Sequence, residues 1–473
     1  MQVSLFTPEQ FEKLAQQVVE VLGTVGLLVG HETVRIMARE AGCHESAQGR
    51  TLFSPPQIQG NTARLRETHD PSAAQPASLH PRGPFQTVFG NLVPNIHDYS
   101  SRRAVAGDTG AFRRLVRFAH SEPRVSAISI PLARNDVAPE LEQLDAVAQI
   151  AELTDKPIGP VEAMDPEAVP FLARMGEVLG HQPGLFVGHC NCINPPLRLE
   201  ARTAEIMLRR AAYHAPAMMT TLTRIAGTGP VDVWGCVVLG AAEIVAGQII
   251  AGIIDQEAGL LGYAASTQLD MRSGGVSGST PQTTQVDAGI CQLIARHFGG
   301  GTAVGGRGYV GAKRPGLQAV FERFAKAAGY AAFVDRGLLS YPGTGNLDNG
   351  GAMSPEQYLL DLEIMEGLDQ LWSSPVDRSD DDTPERIREG VLDEGGDFLG
   401  MCHTLQQFRE EAWEPRYFTR DAATADEAAI LEACHEQYLE TLKAYEPAGH
   451  PEDIVRELRA IHQEAARWFL DNA

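Results

Sequence analysis

Cysteine, aromatic side chains and positive charge are all scarce in this chain of 473 residues. Its seven cysteines (Cys43, Cys190, Cys192, Cys236, Cys291, Cys402 and Cys434) are odd in number and few for the length. That excludes the disulfide framework of a small secreted scaffold and points to free thiols in a reducing compartment, so a cytoplasmic location is expected. Lys and Arg number 39 against 61 Asp and Glu, a net charge of −22. Nucleic-acid binding needs clustered Lys and Arg along a phosphate backbone, and this balance argues against it. No run is read as approaching the ~18 apolar residues of a membrane helix, so no membrane association is expected. The first residues, MQVSLFTPEQFEKL, lack a basic stretch followed by an apolar one, so no secretory signal is expected. HExxH, GxSxG and P-loop strings are absent, which removes the signatures of zincins, serine-hydrolase elbows and P-loop nucleotide enzymes.

What is present suits a soluble globular protein: 43% apolar residues, a mean hydropathy of −0.16, and enough chain for a large core. Thr7-Pro8-Glu9-Gln10 reads as a capped helix start, with Phe11, Leu14, Val18 and Val21 on one face and Gly23 at the end. A Pro-, Ser- and Ala-rich stretch, Asp70–Pro84, reads as a linker. Beyond it, seven short apolar runs alternate with helical stretches. The runs are Val125–Pro131, Lys156–Ala163, Gly184–Cys190, Ala217–Arg224, Gly259–Ser266, Gly301–Gly308 and Tyr330–Gly337. The helical stretches include Leu199–Ala212, Leu239–Glu257, Gln285–His297 and Leu317–Ala328.

Such alternation implies a parallel sheet covered by helices. An eighth strand near Phe85–Val93 or Gly396–Leu399 would close a (β/α)8 TIM-type barrel; a doubly wound open sheet is the alternative. Ser354-Pro355-Glu356-Gln357 repeats the Thr7 design, and Asp377–Asp397 reads as an exposed acidic excursion. Two helices, Thr424–Tyr445 and Pro451–Asn472, end the chain. The expected organisation is an N-terminal helical extension with linker (1–84), a catalytic α/β barrel (85–420) and C-terminal helices packed on it (421–473).

Active sites of barrels gather at the C-terminal ends of the strands. Polar residues just after the runs are therefore the candidates: His189, Asn191 and Asn194; Gln268, Asp270 and Arg272; Arg307 and Tyr309; Asp335 and Arg336. His403 joins them from the last unit, and Tyr99 lies just ahead of the main alternation. Gly306–Gly311 spells GxGxxG, but it follows at least five strand-like runs, whereas a dinucleotide fingerprint opens the first βα turn. A glycine-rich loop at the mouth is the plainer reading. His189, Cys190 and Cys192 invite zinc, yet on a strand 190 and 192 point one way and 189 the other. Buried structural cysteines are the ordinary alternative, and no metal is expected. Glu243, in the apolar helix LGAAEIVAG, is expected to pair structurally.

Two stretches, Gly395–Arg409 (GGDFLGMCHTLQQFR) and Gly227–Gln248 (GTGPVDVWGCVVLGAAEIVAGQ), carry a resemblance to a known family. With Thr154–Pro160, Gly311–Glu322 and Ser354–Ile364 they resemble the trimethylamine methyltransferase superfamily, from about Asp98 to Arg416. The resemblance implies a (β/α)8 barrel and methyl transfer from a methylated amine to a corrinoid. Founding members carry pyrrolysine, expected in or near Gly305–Lys313; this chain is written in the twenty standard residues. It is similar in that respect to the branch acting on quaternary amines such as glycine betaine. A quaternary ammonium already carries its charge and leaves as a neutral amine, so it needs no extra activation.

On this reading His189, His403 and Asp270 are the catalytic candidates. Tyr99, Asn191, Gln268, Arg307, Tyr309 and Tyr341 are the candidates for binding a small cationic substrate, the tyrosines through their ring faces and Arg307, with Arg272 second, through a substrate carboxylate. Tyr263 is a further ring candidate. The chain has no DxHxxG string, so no cofactor is expected to be bound permanently. The corrinoid (cobalamin) is expected on a separate, cognate corrinoid protein, and a homo-oligomer is compatible with the sequence. A sulfonium demethylase on the same barrel, a non-catalytic quaternary-ammonium binder, and a zinc- or S-adenosylmethionine-using transferase remain the alternatives.

Overall fold

The computed structural model describes residues 3–68, 85–188, 190–305, 308–334, 343–373, 382–393, 396–420 and 426–472. The expected linker Asp70–Pro84 lies outside them.

Four parallel strands form the main sheet. They are β3 (Cys190–Ile193), β4 (Ala217–Thr221), β5 (Leu260–Ala264) and β6 (Thr302–Val304), each beside the next in the chain. Earlier in the chain, β1 (Thr87–Phe89) pairs in parallel with β2 (Val125–Ile128). Helices 109–121, 201–211, 233–254 and 281–293 lie between successive strands, which is how parallel strands must be joined. The expected α/β alternation is therefore present. Among these six strands the described pairings give a sheet of four and a separate pair, not an unbroken ring.

Several boundaries differ from the sequence reading. The run Lys156–Ala163 makes one parallel bridge, Ile128 to Ile158. Within Gly184–Cys190 the chain is first a short helix, Pro183–Val187, and the strand begins only at Cys190. The run Tyr330–Gly337 opens in helix, because Leu317–Phe333 continues one buried face through Ala319, Arg323, Lys326, Ala327 and Tyr330. That spacing of three and four residues outweighs the β-like composition. Gly396–Leu399 forms no strand, and Leu399 is 76% exposed.

The caps follow the sequence more closely. Thr7 Oγ1 accepts from Gln10 N and Gln10 Oε1 accepts from Thr7 N, opening the Pro8–Thr24 helix. Its innermost residues are Phe11, Leu14, Val18 and Leu22; Leu22 takes the place expected for Val21, and the helix runs one residue past Gly23. Ser354 caps Pro355–Trp372, but Gln357 does not reach back to it. Its amide is buried, donating to Asp361 and accepting from Gly316 N. The two terminal helices, Glu427–Lys443 and Glu452–Asp471, pack on the outer helices 109–121, 142–153, 169–178 and 355–372.

One sequence expectation needs correction. The helix Val233–Ile254 is, by length and composition alone, apolar enough to cross a membrane. It is buried on all sides, wedged between the N-terminal helix, the Pro281–Leu293 helix and β4. A helix that is apolar all round belongs in a core as readily as in a bilayer.

Its one carboxylate, Glu243, is fully buried and accepts from Leu197 N (2.9 Å), Thr221 Oγ1 (2.5 Å) and Thr223 Oγ1 (3.4 Å). Those bonds tie the helix to the ends of β3 and β4. Burial pushes this carboxyl up to about 7. Its folded-state value lies above the ordinary 4.5, so the native state holds the extra proton between those values. The stability it confers is complete at low pH and is lost as pH climbs through about 7. Glu243→Gln should flatten this part of the pH profile, by roughly 3 kcal/mol at most. Thermal melts at pH 5 and pH 8 would measure it; an unchanged difference between the two would contradict the assignment.

Candidate active site

The register of the main sheet decides which side chains face inward. Cys190 lies beside Met218, Met218 beside Leu261, and Thr220 beside Tyr263, which lies beside Ala303. Residues two apart share a face, so Cys190, Cys192, Met218, Thr220, Tyr263 and Ala303 form one side. That side meets a cavity of about 520 Å³, closed opposite by β1 and β2 through Thr87, Val88 and Ser126. Gln86, Asn91, Ser129, Gln143, Glu162 and Tyr309 add to its polar lining.

Each of these groups is held by its neighbours. Tyr309 O accepts from Ser279 Oγ (3.0 Å) and Lys326 Nζ (3.1 Å), and its phenol accepts from Asn91 Nδ2 (3.2 Å). Burial pushes that phenol up. The Tyr263 ring packs against Gly305, where any Cβ would fall 1.6 Å from Cε1; only glycine lets the ring take this place. Gln143 donates to Glu162 O and accepts from Met164 N, fixing the segment that carries Glu162.

Among the described lining residues Glu162 is the one carboxylate, and none is Lys, Arg or His. Behind β3 the buried Arg210 donates to Asn191 Oδ1 at 3.1 Å. Burial pulls its guanidinium down to about 10, and Glu162 partly offsets that. The Cys192 thiol is pushed up to about 12, chiefly by burial and further by the Glu162 charge. Among the described residues no three His, Cys, Asp or Glu side chains converge as a metal site.

The structure gathers some of the sequence candidates and scatters others. Tyr309 and Tyr263 line the cavity. Asn191 does not: it is one residue out of phase with Cys190 and Cys192, so it points to the helix side and meets Arg210. Gln268 sits in a small sheet beyond β5, on Thr267–Leu269. Asp270 closes an exposed turn, accepting from Arg272 N and Ser273 Oγ, and those bonds lower its pKa.

Tyr99 is engaged by the Glu427–Lys443 helix. Its OH donates to Glu432 (2.6 Å), its ring stacks on His435 at 4.0 Å, and its phenol is pushed up to about 12. His403 lies on the outer helix Cys402–Glu411, away from the cavity lining. Asn194 pairs with Arg198 through backbone bonds. His189, Arg307, Asp335, Arg336 and Tyr341 lie outside the described residues. Sequence reasoning missed Glu162, Gln143 and Asn91. Glu162 carried a usable signal, since it is the one carboxylate within the Lys156–Ala163 run, near its C-terminal end.

A cavity of this size, with apolar walls and a few fixed polar groups, suits a small-molecule ligand. The chain belongs to the trimethylamine methyltransferase (MTTB) family, whose model matches residues 1–466, and it is a methyltransferase. Similar proteins include a trimethylamine methyltransferase of Methanosarcina mazei, 22% identical over 99% of this chain and 96% of that one. A glycine betaine methyltransferase of Desulfitobacterium hafniense is 23% identical over 97% and 96%. A solved monomethylamine methyltransferase of Methanosarcina barkeri, 12% identical, aligns over 93% of both chains with a TM-score of 0.47.

The cysteines offer a test of the cavity's reach. Cys190 borders the cavity and Cys402 is exposed, whereas Cys236, Cys291 and Cys434 are buried with thiols pushed up by desolvation. Iodoacetamide at pH 8 should label Cys190 and Cys402 at least about tenfold faster than those three. A ligand in the cavity should protect Cys190 and leave Cys402 reactive, as read by peptide mass spectrometry.

Proposed function

We propose that this methyltransferase takes a methyl group from a small quaternary amine, glycine betaine or a similar betaine, and delivers it to Co(I) of a corrinoid held by a separate protein. The observation that carries the reading is the charge of the cavity. Among its described lining residues there is a single carboxylate, Glu162, two tyrosine rings, Tyr263 and Tyr309, and no basic side chain. A permanent cation is held by ring faces and a nearby carboxylate.

The corrinoid supplies a strong nucleophile. In the transfer an electron pair from cobalt forms the bond to a methyl carbon. The C–N bond breaks with its electrons going to nitrogen, and a neutral tertiary amine departs. No proton is needed at nitrogen, which fits a chain without pyrrolysine. The residues' task is to position: Glu162 and the two rings hold the ammonium, and the apolar wall of Met218, Val161 and Ile130 keeps water away from it. With 520 Å³ the cavity suits the small amine, and the corrinoid is assigned to its mouth.

Within this reading the two parallel sheets, which face the same cavity, belong to one (β/α)8 barrel spanning 85–420. Residues 1–84 extend it and the helices of 421–473 pack outside. His189, Arg307 and Tyr341 stay in the proposal, His189 as a catalytic group, Tyr341 for the cation and Arg307 for a betaine carboxylate. A cytoplasmic setting follows from the need for a reduced cobalt.

Purified protein should methylate Co(I) cobalamin with one of glycine betaine, proline betaine, carnitine or dimethylsulfoniopropionate, and not with trimethylamine, as followed by the cobalamin absorbance. Turnover of trimethylamine would overturn the leaving-group argument, and preference for dimethylsulfoniopropionate would move the substrate to a sulfonium. Glu162→Gln should raise KM for the cation about tenfold; an unchanged KM would remove Glu162 from the binding role.

A further inference from the structure

Lys326 is a charged group in a place that packing alone would not choose. It sits on the Leu317–Phe333 helix, is 2% exposed, and directs its Nζ to the carbonyl of Tyr309 at 3.1 Å. Burying an ammonium is costly unless it holds something in return.

What it holds is the segment that carries Tyr309 into the cavity wall. Ser279 Oγ shares the same carbonyl at 3.0 Å, Asn349 N donates to Val310 O, and Glu322 Oε2 accepts from Gly311 N and Ala312 N. On the far side Gly350 lies so close that a Cβ would come within 2.9 Å of the Tyr309 ring. The ring is thus fixed at its hydroxyl by Asn91 and at its backbone by Lys326 and Ser279. Of these groups only Lys326 brings a positive charge, and a charged donor to a carbonyl is about twice as strong as a neutral one.

We propose that Lys326 is the positioning residue for Tyr309, its ammonium clamping the carbonyl and so setting the place of the ring against the bound cation. The inference rests on the quaternary-ammonium reading for what the ring contacts. The clamp itself is a property of the chain without ligand.

The clamp responds to pH. Asp287 faces Lys326 from the Pro281–Leu293 helix; Glu322, Arg323 and Tyr330 face it along its own helix. Burial pulls the lysine down to about 8, against 10.5 ordinarily; Asp287 and Glu322 oppose the fall and Arg323 adds to it. Asp287 is itself buried and accepts from Ser266 N and Tyr330 OH. As pH rises through about 8 the ammonium becomes an amine and its bond to Tyr309 weakens. For global stability the sign is opposite. The unfolded chain holds the extra proton between about 8 and 10.5, so this group makes the fold more stable as pH rises there. Loss of ligand affinity without loss of melting temperature is therefore the mark of the clamp.

Hydrogen–deuterium exchange of the full chain without ligand, at pH 7, tests the clamp directly. In Lys326→Met the peptide covering 308–318 should exchange about tenfold faster than in the wild type, with the Val233–Ile254 helix unchanged. Calorimetric titration with tetramethylammonium and with glycine betaine then tests the consequence. Wild-type affinity should fall severalfold between pH 7 and pH 9, and Lys326→Met should be weak at both. Wild-type exchange in the variant, or the same fall with pH in the variant, would overturn the proposal. Should Lys326→Met not fold, Lys326→Arg keeps its charge at pH 9 and should keep affinity there; an equal loss in it would also overturn the proposal. Faster loop exchange with no binding of either ligand by the wild type would leave the clamp standing and remove the quaternary-ammonium reading instead.

Discussion

The register between the four parallel strands is the constraint on which the rest depends. Met218 beside Cys190, and Tyr263 beside both Thr220 and Ala303, place one alternate set of residues on the cavity and the other on the helices. A slip of one residue in any strand would exchange the sets. Tyr263 would leave the wall, and Gly262, which gives Thr302 and Ile244 room to pack closely, would enter it. The helix side guards against that slip. Met219 packs on Gly247 and Ile290 on Gly240, contacts too close for any other residue without displacement of a neighbour.

Elsewhere the chain holds charge in matched pairs, some fully buried and some only partly. Arg323 meets Asp361 at 2.7 Å and donates to the carbonyls of Gly343 and Asn346. Arg134 bonds Glu142 and Asp145, and Arg459 bonds Asp145 and Glu152. Such pairs add little net stability against apolar packing, but breaking one leaves an uncompensated charge inside. Several of them fasten loops to helices. Asp361 accepts from Gly345 N, and Glu363 accepts from the backbone of Arg416, Tyr417 and Phe418. These loops are held by directional bonds from helices, which fixes their geometry more tightly than apolar contact would.

The parts legible in the sequence were those written in local patterns. Capping at Thr7 and Ser354, the helical faces, and most strand runs depend on neighbours within a turn or two, so spacing reveals them. The family, too, was carried by contiguous strings. Errors came where a local pattern served two masters. Tyr330–Phe333 has β-like composition, yet it continues the buried face of a helix. Val233–Ile254 was read as a helix between strands, but its apolar length, enough for a bilayer by composition alone, went unnoticed; it is a buried core helix.

The site was less legible, because a site is a set of long-range coincidences. Sequence determined that an α/β chain of this family would have polar groups following its strands, and it named Tyr309 among them. Which of those groups meet was decided only by the tertiary structure. Asn191 faces away because the strand period is two, Tyr99 is captured by a helix more than 300 residues later, and Glu162 becomes a wall residue because its segment runs beside β2. Period and composition act over a few residues, whereas a cavity is formed by strand order and register, which no single stretch of sequence contains.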